Sequence, residues 1–230
     1  MQKFFIQTFG CQMNVYDGER IAAMLEKHGL TQTDKIDEAD LIILNTCAVR
    51  AKATDKVYSA LGRIRRTKKE SALFGIVGCV ARESGADAFK RIHELNFVLG
   101  PQSYHKLPEI IKNPDIKLLN IDMSGLEKFD ELPQITKSPV VAYIPIQEGC
   151  NHCCTYCIVP YTRGRELSRP FSDVISLLPS RMEASLPPSS GRNSASMVEV
   201  VRRNAERSLY WVRSSMGSSP QILFVIGVED

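Results

Sequence analysis

The sequence predicts an α/β protein whose N-terminal half forms a mostly parallel sheet. Short apolar runs alternate there with amphipathic segments, which is the order expected of βαβ units. The runs are apolar at consecutive positions, as in Leu41–Leu44, rather than at every second position. Strands of this kind are covered by helices on both faces, as in parallel sheets. The predicted architecture is therefore of the Rossmann or flavodoxin type.

Four strand–helix pairs are predicted in chain order. They are FFIQTFG with a helix over Asp17–His28, LIILN with Arg50–Lys69, LFGIVG with Glu83–Leu95, and FVLG with His105–Lys112. The helices are predicted from apolar residues that recur every three to four positions. After these pairs, KFDELPQITKSPVVAYIPIQ predicts a proline-punctuated linker that leads into another strand, and QILFVIGV predicts a strand near the C-terminus.

Composition limits the class of protein. The chain has 230 residues, of which 43% are hydrophobic, enough to bury a core. It has no apolar run of membrane-spanning length and no secretory signal, so we expect a cytoplasmic protein without a membrane partner. Seven cysteines without an export signal argue against a disulfide framework. The net charge of +3 permits a nucleic-acid partner without requiring one.

Three cysteines occupy the same position relative to a predicted strand. Cys11 follows FFIQTFG, Cys47 follows LIILNT and Cys79 follows LFGIVG. The carboxyl ends of parallel strands share one edge of the sheet, where open α/β folds bind their ligands. For any single cysteine, a small apolar core residue is the alternative interpretation. The repetition favours three thiols that converge on one ligand.

The other four cysteines lie within EGCNHCCTYCIVPYTRGR, residues 148–165. Zinc ribbons separate two CxxC pairs by about 15 to 20 residues, so that two loops enclose the ion, whereas these pairs abut. The spacing Cys150-x3-Cys154-x2-Cys157 instead lets one loop present three thiolates to an iron–sulfur cube, whose fourth iron then has no protein ligand. Cys153 is a surplus thiol in this interpretation, and zinc is the alternative.

These motifs and their flanks resemble those of one family. TFGCQMNVYDGERI, ADLIILNTCAVRAKATDKVYSALGRI, GIVGCVARESG, LNFVLGPQSYHKLPEI and IPIQEGCNHCCTYCIVPYTRGRELSRPF are similar to successive motifs of the MiaB-type tRNA methylthiotransferases, which belong to the radical S-adenosylmethionine (SAM) superfamily. The resemblance runs from residue 2 to about residue 175. GCQMN resembles the tRNA-adenosine branch of the family.

The resemblance implies a reaction and its cofactors. The reaction is methylthiolation of C2 of N6-isopentenyladenosine next to the anticodon of tRNA, by sulfur insertion and methyl transfer. It implies SAM and two [4Fe-4S] clusters, and an electron donor such as flavodoxin or ferredoxin. By similarity, the ligands are Cys150, Cys154 and Cys157 for the radical-generating cluster that binds SAM, and Cys11, Cys47 and Cys79 for an auxiliary cluster that carries or supplies sulfur.

Three more residues are candidate contacts of SAM or substrate. Tyr156 matches the position where the superfamily has an aromatic residue near the SAM adenine, with packing of the loop as the alternative. Arg163 and Arg165 follow the last cysteine of this stretch, Cys157, closely, and we expect them to contact a phosphate, the substrate or the SAM carboxylate. Basic residues along the helix over Arg50–Lys69 would add RNA affinity, or form a solvated helix face.

The resemblance implies a tRNA partner, whose target base would have to turn out of its stack and into the site.

We expect the protein to act as a monomer. The predicted domains are residues 1–135, an α/β methylthiotransferase domain, residues 136–175, the start of a radical-SAM (βα) barrel, and residues 176–230, a divergent tail.

The tail departs from the family pattern. Ser176–Ser219 is rich in Ser, Pro and Arg and does not continue the strand–helix rhythm of a barrel. We find there neither the later barrel strands of the family nor its C-terminal TRAM domain. A frameshift or truncation would explain this, and such a chain is expected to bind clusters but to be impaired in turnover. The alternative function is a non-catalytic, iron–sulfur- or zinc-binding module that interacts with RNA.

Overall fold

The computed structural model describes residues 2–49, 51–123, 141–145, 147–169 and 223–227. It divides into two compact units, Met1–Ile135 with Gly149–Glu166, and Thr136–Glu148 with Leu167–Asp230. The cysteine loop, residues 149–166, was predicted to belong to the start of the barrel, whereas here it groups with the N-terminal residues. The predicted linker before residue 141 and the predicted tail, apart from residues 223–227, lie outside the described residues.

A six-stranded parallel sheet forms the centre of the first unit. Its strands are β1 (Lys3–Thr8), β2 (Thr31–Gln32), β3 (Leu41–Thr46), β4 (Leu73–Gly78), β5 (Phe97–Leu99) and β6 (Leu118–Asn120). Their order across the sheet is β2-β1-β3-β4-β5-β6. The predicted α/β class with a mostly parallel sheet is therefore confirmed. The two edge strands were not predicted, because two or three partly polar residues give no apolar run.

Helices connect these strands. They are α1 (Gln12–Lys27), α2 (Ala51–Thr67), α3 (Cys79–Ser84), α4 (Asp87–Arg91) and α5 (Leu107–Lys112), with short 3₁₀ turns at Ile36–Glu38 and Tyr104–Lys106, and α6 (Val159–Arg163) lies in the cysteine loop. The single helix predicted over Glu83–Leu95 is wrong. Gly85, with a left-handed φ of +50°, ends α3, and α4 follows as a separate helix. In addition, α1 begins at Gln12 rather than at Asp17.

The core has two apolar layers, one on each face of the sheet. Successive residues of β3 alternate between them: Leu41 and Ile43 pack with α1, whereas Ile42 and Leu44 pack with α2. Both β3 and β4 are buried along their whole length. Burial of each such aliphatic side chain contributes about 1.5–3 kcal/mol, so these two strands form the most firmly held part of the sheet.

The described part of the second unit contains two small antiparallel ladders. β7 (Val141–Pro145) pairs with β10 (Leu223–Gly227), and β8 (Gln147–Glu148) pairs with β9 (Leu167–Ser168). The strand predicted to follow the linker in KFDELPQITKSPVVAYIPIQ and the strand predicted from QILFVIGV are confirmed. A (βα) barrel would pair its strands in parallel, and no parallel pair occurs among these described strands, so the radical-SAM barrel stays a prediction.

Among the helices that the structure describes, none has both the length and the apolar character needed to cross a membrane.

Gly62 offers a test of the helical assignment of α2. It lies in the helix interior, and a Cβ atom there would meet no atom within 4 Å. We expect Gly62→Ala to raise the free energy of unfolding by about 0.5–1 kcal/mol, because alanine loses less backbone entropy in a helix. Urea denaturation measures the change. The control is Gly75→Ala in β4, whose Cβ would overlap the ring of Phe97 and should destabilise the protein. A loss of stability in Gly62→Ala would contradict the assignment.

Candidate functional site

Three cysteines lie at the carboxyl ends of three strands that are neighbours in the sheet. Cys11 follows β1 and occupies the N-terminal cap position of α1, Cys47 directly follows β3, and Cys79 follows β4 as the first residue of α3. Because β1, β3 and β4 are adjacent and parallel, their ends lie side by side at one edge of the sheet. The predicted position of each cysteine relative to its strand is confirmed.

The structure brings these thiols together. The Cys47 thiol donates a hydrogen bond to the Cys11 sulfur, and Cys79 lies within electrostatic range of Cys47, whose pKa it helps to raise. Cys47 and Cys79 are only 3% and 2% exposed. The Cys11 thiol is half-buried and donates to Asn14 Oδ1 at 3.2 Å. Cys11 and Cys47 therefore meet in one partly enclosed site, and Cys79 lies at the neighbouring strand end.

The two hydrogen-bonded thiols differ in acidity. The hydrogen bond from Cys47 lowers the pKa of Cys11 to about 6, and the charge of Arg163 lowers it further. Burial acts in the opposite direction and raises the pKa of Cys11. The same hydrogen bond, together with burial, raises the pKa of Cys47. Cys11 is thus the thiol of the pair that ionises first, and the thiolate is the form that binds metals.

Two glycines make room for this arrangement. Gly10 has a φ of +115°, and a Cβ atom there would overlap the Cys47 side chain. Gly78 has a φ of +94°, and its Cβ would lie 2.5 Å from the backbone oxygen of Thr46. Only glycine adopts such backbone conformations without strain. The close approach of the strand ends therefore depends on both residues.

The cysteine loop holds its four thiols in different environments. Cys150 is buried, Cys154 and Cys157 are half-buried, and Cys153 is exposed. The backbone N–H of His152 donates to Cys150 Sγ at 3.3 Å, and the N–H of Cys157 donates to the Cys154 oxygen at 3.0 Å. Cys153, which the Cys150-x3-Cys154-x2-Cys157 spacing does not use, is thus the thiol that faces solvent.

The cysteine loop packs against the site formed by the other three cysteines. Ile158, next to Cys157, contacts a small apolar cluster of Ala48, Cys79 and Val80. The two cysteine sets, far apart in sequence, are therefore neighbours in the first unit.

A buried ion pair adds a polar contact between the same two regions. Arg163 Nη2, at the end of α6, lies 3.0 Å from Asp17 Oδ2 in α1, and their side chains are 3% and 0% exposed. Tyr104 donates its hydroxyl to the same Asp17 oxygen at 3.2 Å. Arg163 Nη2 also donates to Asn14 Oδ1 at 3.5 Å. Arg163 thus contacts α1 within one helical turn of Cys11.

Sequence reasoning missed Asn14, Asp17 and Tyr104. The predicted helix began at Asp17, so Asn14 lay outside it. An acidic residue is common in the first turn of a helix, so Asp17 did not stand out as a candidate. In the structure both residues lie on buried positions of α1. Polar residues at three-residue spacing along the buried face of α1, at Asn14, Asp17 and Arg20, are the signal that would have found the first two.

The remaining candidate residues are placed as follows. Tyr156 is 76% exposed, and Arg165 is also exposed. Arg163 is buried and faces Asp17. Their assignment to SAM, substrate or phosphate stays a prediction.

The basic residues of α2 mostly face solvent. Arg63, Arg65 and Arg66 are exposed, and Arg65 pairs with Glu94 at 2.6 Å. After the helix, Lys69 pairs with Asp40 at 2.8 Å. These contacts suit a solvated helix face, and the three exposed arginines also leave positive charge at the surface.

Within the described ranges, no three His, Cys, Asp or Glu side chains are arranged to hold a single metal ion. In this part of the chain, neither cysteine set is therefore arranged as the coordination sphere of a single ion.

A family model matches the part of the chain that forms the first five strands of the sheet. Residues 3–100 match the model described as uncharacterized protein family UPF0004. The match ends after β5 and includes Cys11, Cys47 and Cys79. This region is therefore similar to that family, and it folds as the parallel α/β sheet described above.

Curated relatives carry a more specific name. Proteins named tRNA-2-methylthio-N(6)-dimethylallyladenosine synthase are 48% identical over 174 residues in Novosphingobium aromaticivorans, 47% over 176 residues in Zymomonas mobilis subsp. mobilis, and 45% over 181 residues in Cereibacter sphaeroides. The matches cover 75–76% of this chain and 39–41% of the relatives. The chain thus spans about two fifths of their length. The predicted resemblance to tRNA methylthiotransferases is confirmed.

Gly10→Ala tests the close approach of Gly10 to Cys47. We expect a loss of about 2–4 kcal/mol in unfolding free energy, because the alanine would be strained at φ +115° and would also overlap Cys47. Gly29→Ala is the matched control, since Gly29 has a φ of +85° but a Cβ atom there would meet no atom within 4 Å. It should lose only about 1–2 kcal/mol from strain. Equal losses in urea denaturation of both variants would contradict the predicted contact.

Proposed function

We propose that this chain carries the cluster-binding part of a radical-SAM tRNA methylthiotransferase, which methylthiolates C2 of N6-isopentenyladenosine next to the anticodon. The observation that carries the proposal is the gathering of Cys11, Cys47 and Cys79 at neighbouring strand ends, with the cysteine loop packed beside them. Relatives that are 45–48% identical over three quarters of the chain, and are named for this product, support it.

The chemistry of the donor sets fits two [4Fe-4S] clusters. Cys11, Cys47 and Cys79 would hold the auxiliary cluster, since thiolates are the usual ligands of iron–sulfur cubes. Cys11, whose pKa is lowered, is more readily deprotonated than Cys47, and a thiol binds metal as the thiolate. Ligands of different irons do not touch one another, so the hydrogen-bonded side chains of Cys11 and Cys47 would have to rotate apart on binding.

The cysteine loop would hold the second cluster through Cys150, Cys154 and Cys157. The N–H of His152, which points at Cys150 Sγ, would stabilise that sulfur as a thiolate. When bound, the clusters and SAM would supply the radical that activates the unreactive C2 carbon and the sulfur that replaces its hydrogen. An electron donor of the flavodoxin or ferredoxin kind would be needed.

The exposed residues near the cysteine loop are suited to contacts with SAM or tRNA. Tyr156 offers an exposed aromatic ring for stacking on a base or on the SAM adenine. Arg165 offers a cation for a phosphate or carboxylate. We propose a cytoplasmic monomer with no membrane partner, in which these residues face the substrate.

A metal-binding module without catalysis is the second candidate. The contact between the sulfurs of Cys11 and Cys47 favours it, because two thiolates on one tetrahedral zinc ion lie closer together than two ligands of a cube. Such a module would hold its metal for structure and could still bind RNA.

Metal and sulfide analysis after anaerobic reconstitution distinguishes the two candidates. We expect about eight irons with matching sulfide in the wild type, and about half in each triple Cys→Ala variant, one for each cysteine set. Mössbauer spectroscopy should show a different cluster lost in each. Cys153→Ala is the matched control and should keep both clusters, since its thiol is exposed. Zinc without sulfide in the wild type would instead establish the module.

Turnover by this chain is a separate prediction. The family resemblance ends near residue 175, and a SAM pocket at the end of a (βα) barrel is built by further strands. We therefore expect the reconstituted chain to hold clusters but to methylthiolate little tRNA carrying N6-isopentenyladenosine. Mass spectrometry of digested tRNA measures the product, with a relative of full length as the positive control. Product formation at the rate of that relative would contradict the expectation.

A further inference from the structure

Arg163 and Asp17 form an ion pair from which water is excluded. Their side chains are 3% and 0% exposed, with 3.0 Å between Nη2 and Oδ2. A buried charge that loses its partner is strongly unfavourable, whereas an intact pair fixes the relative position of the two groups. Because Arg163 ends α6 and Asp17 lies in α1, the pair holds two segments together that are 146 residues apart.

The contacts continue from the ion pair to Cys11. Asn14 Oδ1 accepts hydrogen bonds both from Arg163 Nη2 at 3.5 Å and from the Cys11 thiol at 3.2 Å. A single oxygen atom therefore separates the guanidinium from the first cysteine. The Asn14 amide is itself fixed, since its Nδ2 donates to Asn45 Oδ1 at 3.0 Å and to the Thr46 oxygen at 2.7 Å, directly before Cys47.

The other side of the ion pair leads into the cysteine loop. Gly164, next to Arg163, accepts a hydrogen bond from the backbone N–H of Cys150 at 3.1 Å. Gln102 Nε2 donates to the Arg163 oxygen at 3.3 Å, so the backbone of this segment is also tied to the loop after β5. Displacement of Arg163 would therefore move the backbone that positions Cys150.

We propose that the Arg163–Asp17 pair, with Asn14, is a positioning device that fixes the cysteine loop beside the site of Cys11, Cys47 and Cys79. Arg163 is then a positioning residue that acts through Asp17 and Asn14. The device sets the distance and orientation between the two cysteine sets, which sulfur transfer between two metal centres would require. That consequence rests on the proposed function, whereas the attachment of the loop does not.

Arginine suits this role better than lysine. Its planar guanidinium presents several N–H groups at fixed angles, and here Nη2 reaches Asp17 and Asn14 together. A lysine could neutralise Asp17 but would not hold both partners with the same geometry. Arg163→Lys keeps the positive charge but not the planar guanidinium, so this variant shows how much of the effect depends on charge alone.

Hydrogen exchange of the metal-free full chain tests the attachment. Arg163→Met and Asp17→Asn should each accelerate exchange of the Cys150 and Cys157 amides at least about tenfold, because the buried charge that remains loses its ion-pair contact. The double variant should lose less protection than the two single effects combined, since both charges are then removed or neutralised. Arg163→Lys should restore part of the protection.

Two comparisons keep this test specific. Amides of β3 and β4 report on the whole fold and should remain the slowest to exchange in every variant, even where the lost contact lowers the free energy of unfolding. Lys90→Met removes one partner of the exposed Lys90–Asp87 pair and should leave exchange in the cysteine loop unchanged. The proposal is overturned if exchange in the loop is unaffected, or if the amides of β3 and β4 become as fast as those of the loop, which would show that the whole first unit has unfolded.

A spectroscopic measurement tests the positioning of the auxiliary site. In a background with Cys150, Cys154 and Cys157 all changed to alanine, a single cluster would be left on Cys11, Cys47 and Cys79. We expect Arg163→Met to keep its iron content but to shift its Mössbauer or electron paramagnetic resonance spectrum, with Lys90→Met as the unchanged control. An identical spectrum would overturn the positioning role. If the parent binds no cluster at all, the proposed function fails, while hydrogen exchange still decides the attachment.

Discussion

The parallel pairing of β1, β3 and β4 is the constraint on which the candidate site depends. Three parallel strands that are neighbours must end at the same edge, and each of these three is followed by a cysteine. Cysteines that are more than 30 residues apart in the sequence are thereby brought to neighbouring strand ends. The burial of β3 and β4 on both faces holds that edge in place, because a shift of either strand would move its apolar residues out of both core layers.

The strand ends approach one another closely, and the backbone has adapted to that approach. Gly10 and Gly78 take conformations that other residues avoid, and each would collide with the neighbouring strand end if it carried a Cβ atom. The same crowding produces the electrostatics of the site. Cys11 accepts a hydrogen bond from Cys47 at the start of α1, and its lowered pKa follows from that contact and from the nearby charge of Arg163. The close packing of the strand ends and the lowered pKa of Cys11 therefore have the same cause.

The cysteine loop joins this site through one apolar and one ionic contact. Ile158 packs on Cys79 and Val80, while Arg163 pairs with Asp17. An apolar contact alone tolerates sliding, whereas a buried ion pair with additional hydrogen bonds allows little change in distance or angle. The combination explains how a short loop with little regular structure can hold a defined place on the sheet.

The sequence by itself determined the central strands and the position of each cysteine relative to its strand. Those features are local, since apolar runs mark buried strands and the cysteines directly follow them. It also determined the family resemblance, because the motifs are short and contiguous. The edge strands β2 and β6 and the break at Gly85 were not apparent, as a few residues carry too weak a pattern.

Only the tertiary structure decided which thiols touch and where the charge of Arg163 lies. Nothing near Arg163 in the sequence indicates Asp17, because the pair is formed by the path of the chain and not by its local composition. The contact between Cys11 and Cys47 likewise depends on the order of strands across the sheet, which apolar periodicity does not encode. Contacts between residues that are distant in the sequence require the assembled sheet. The relative position of two such side chains is fixed only when the same packed core holds the backbone of both.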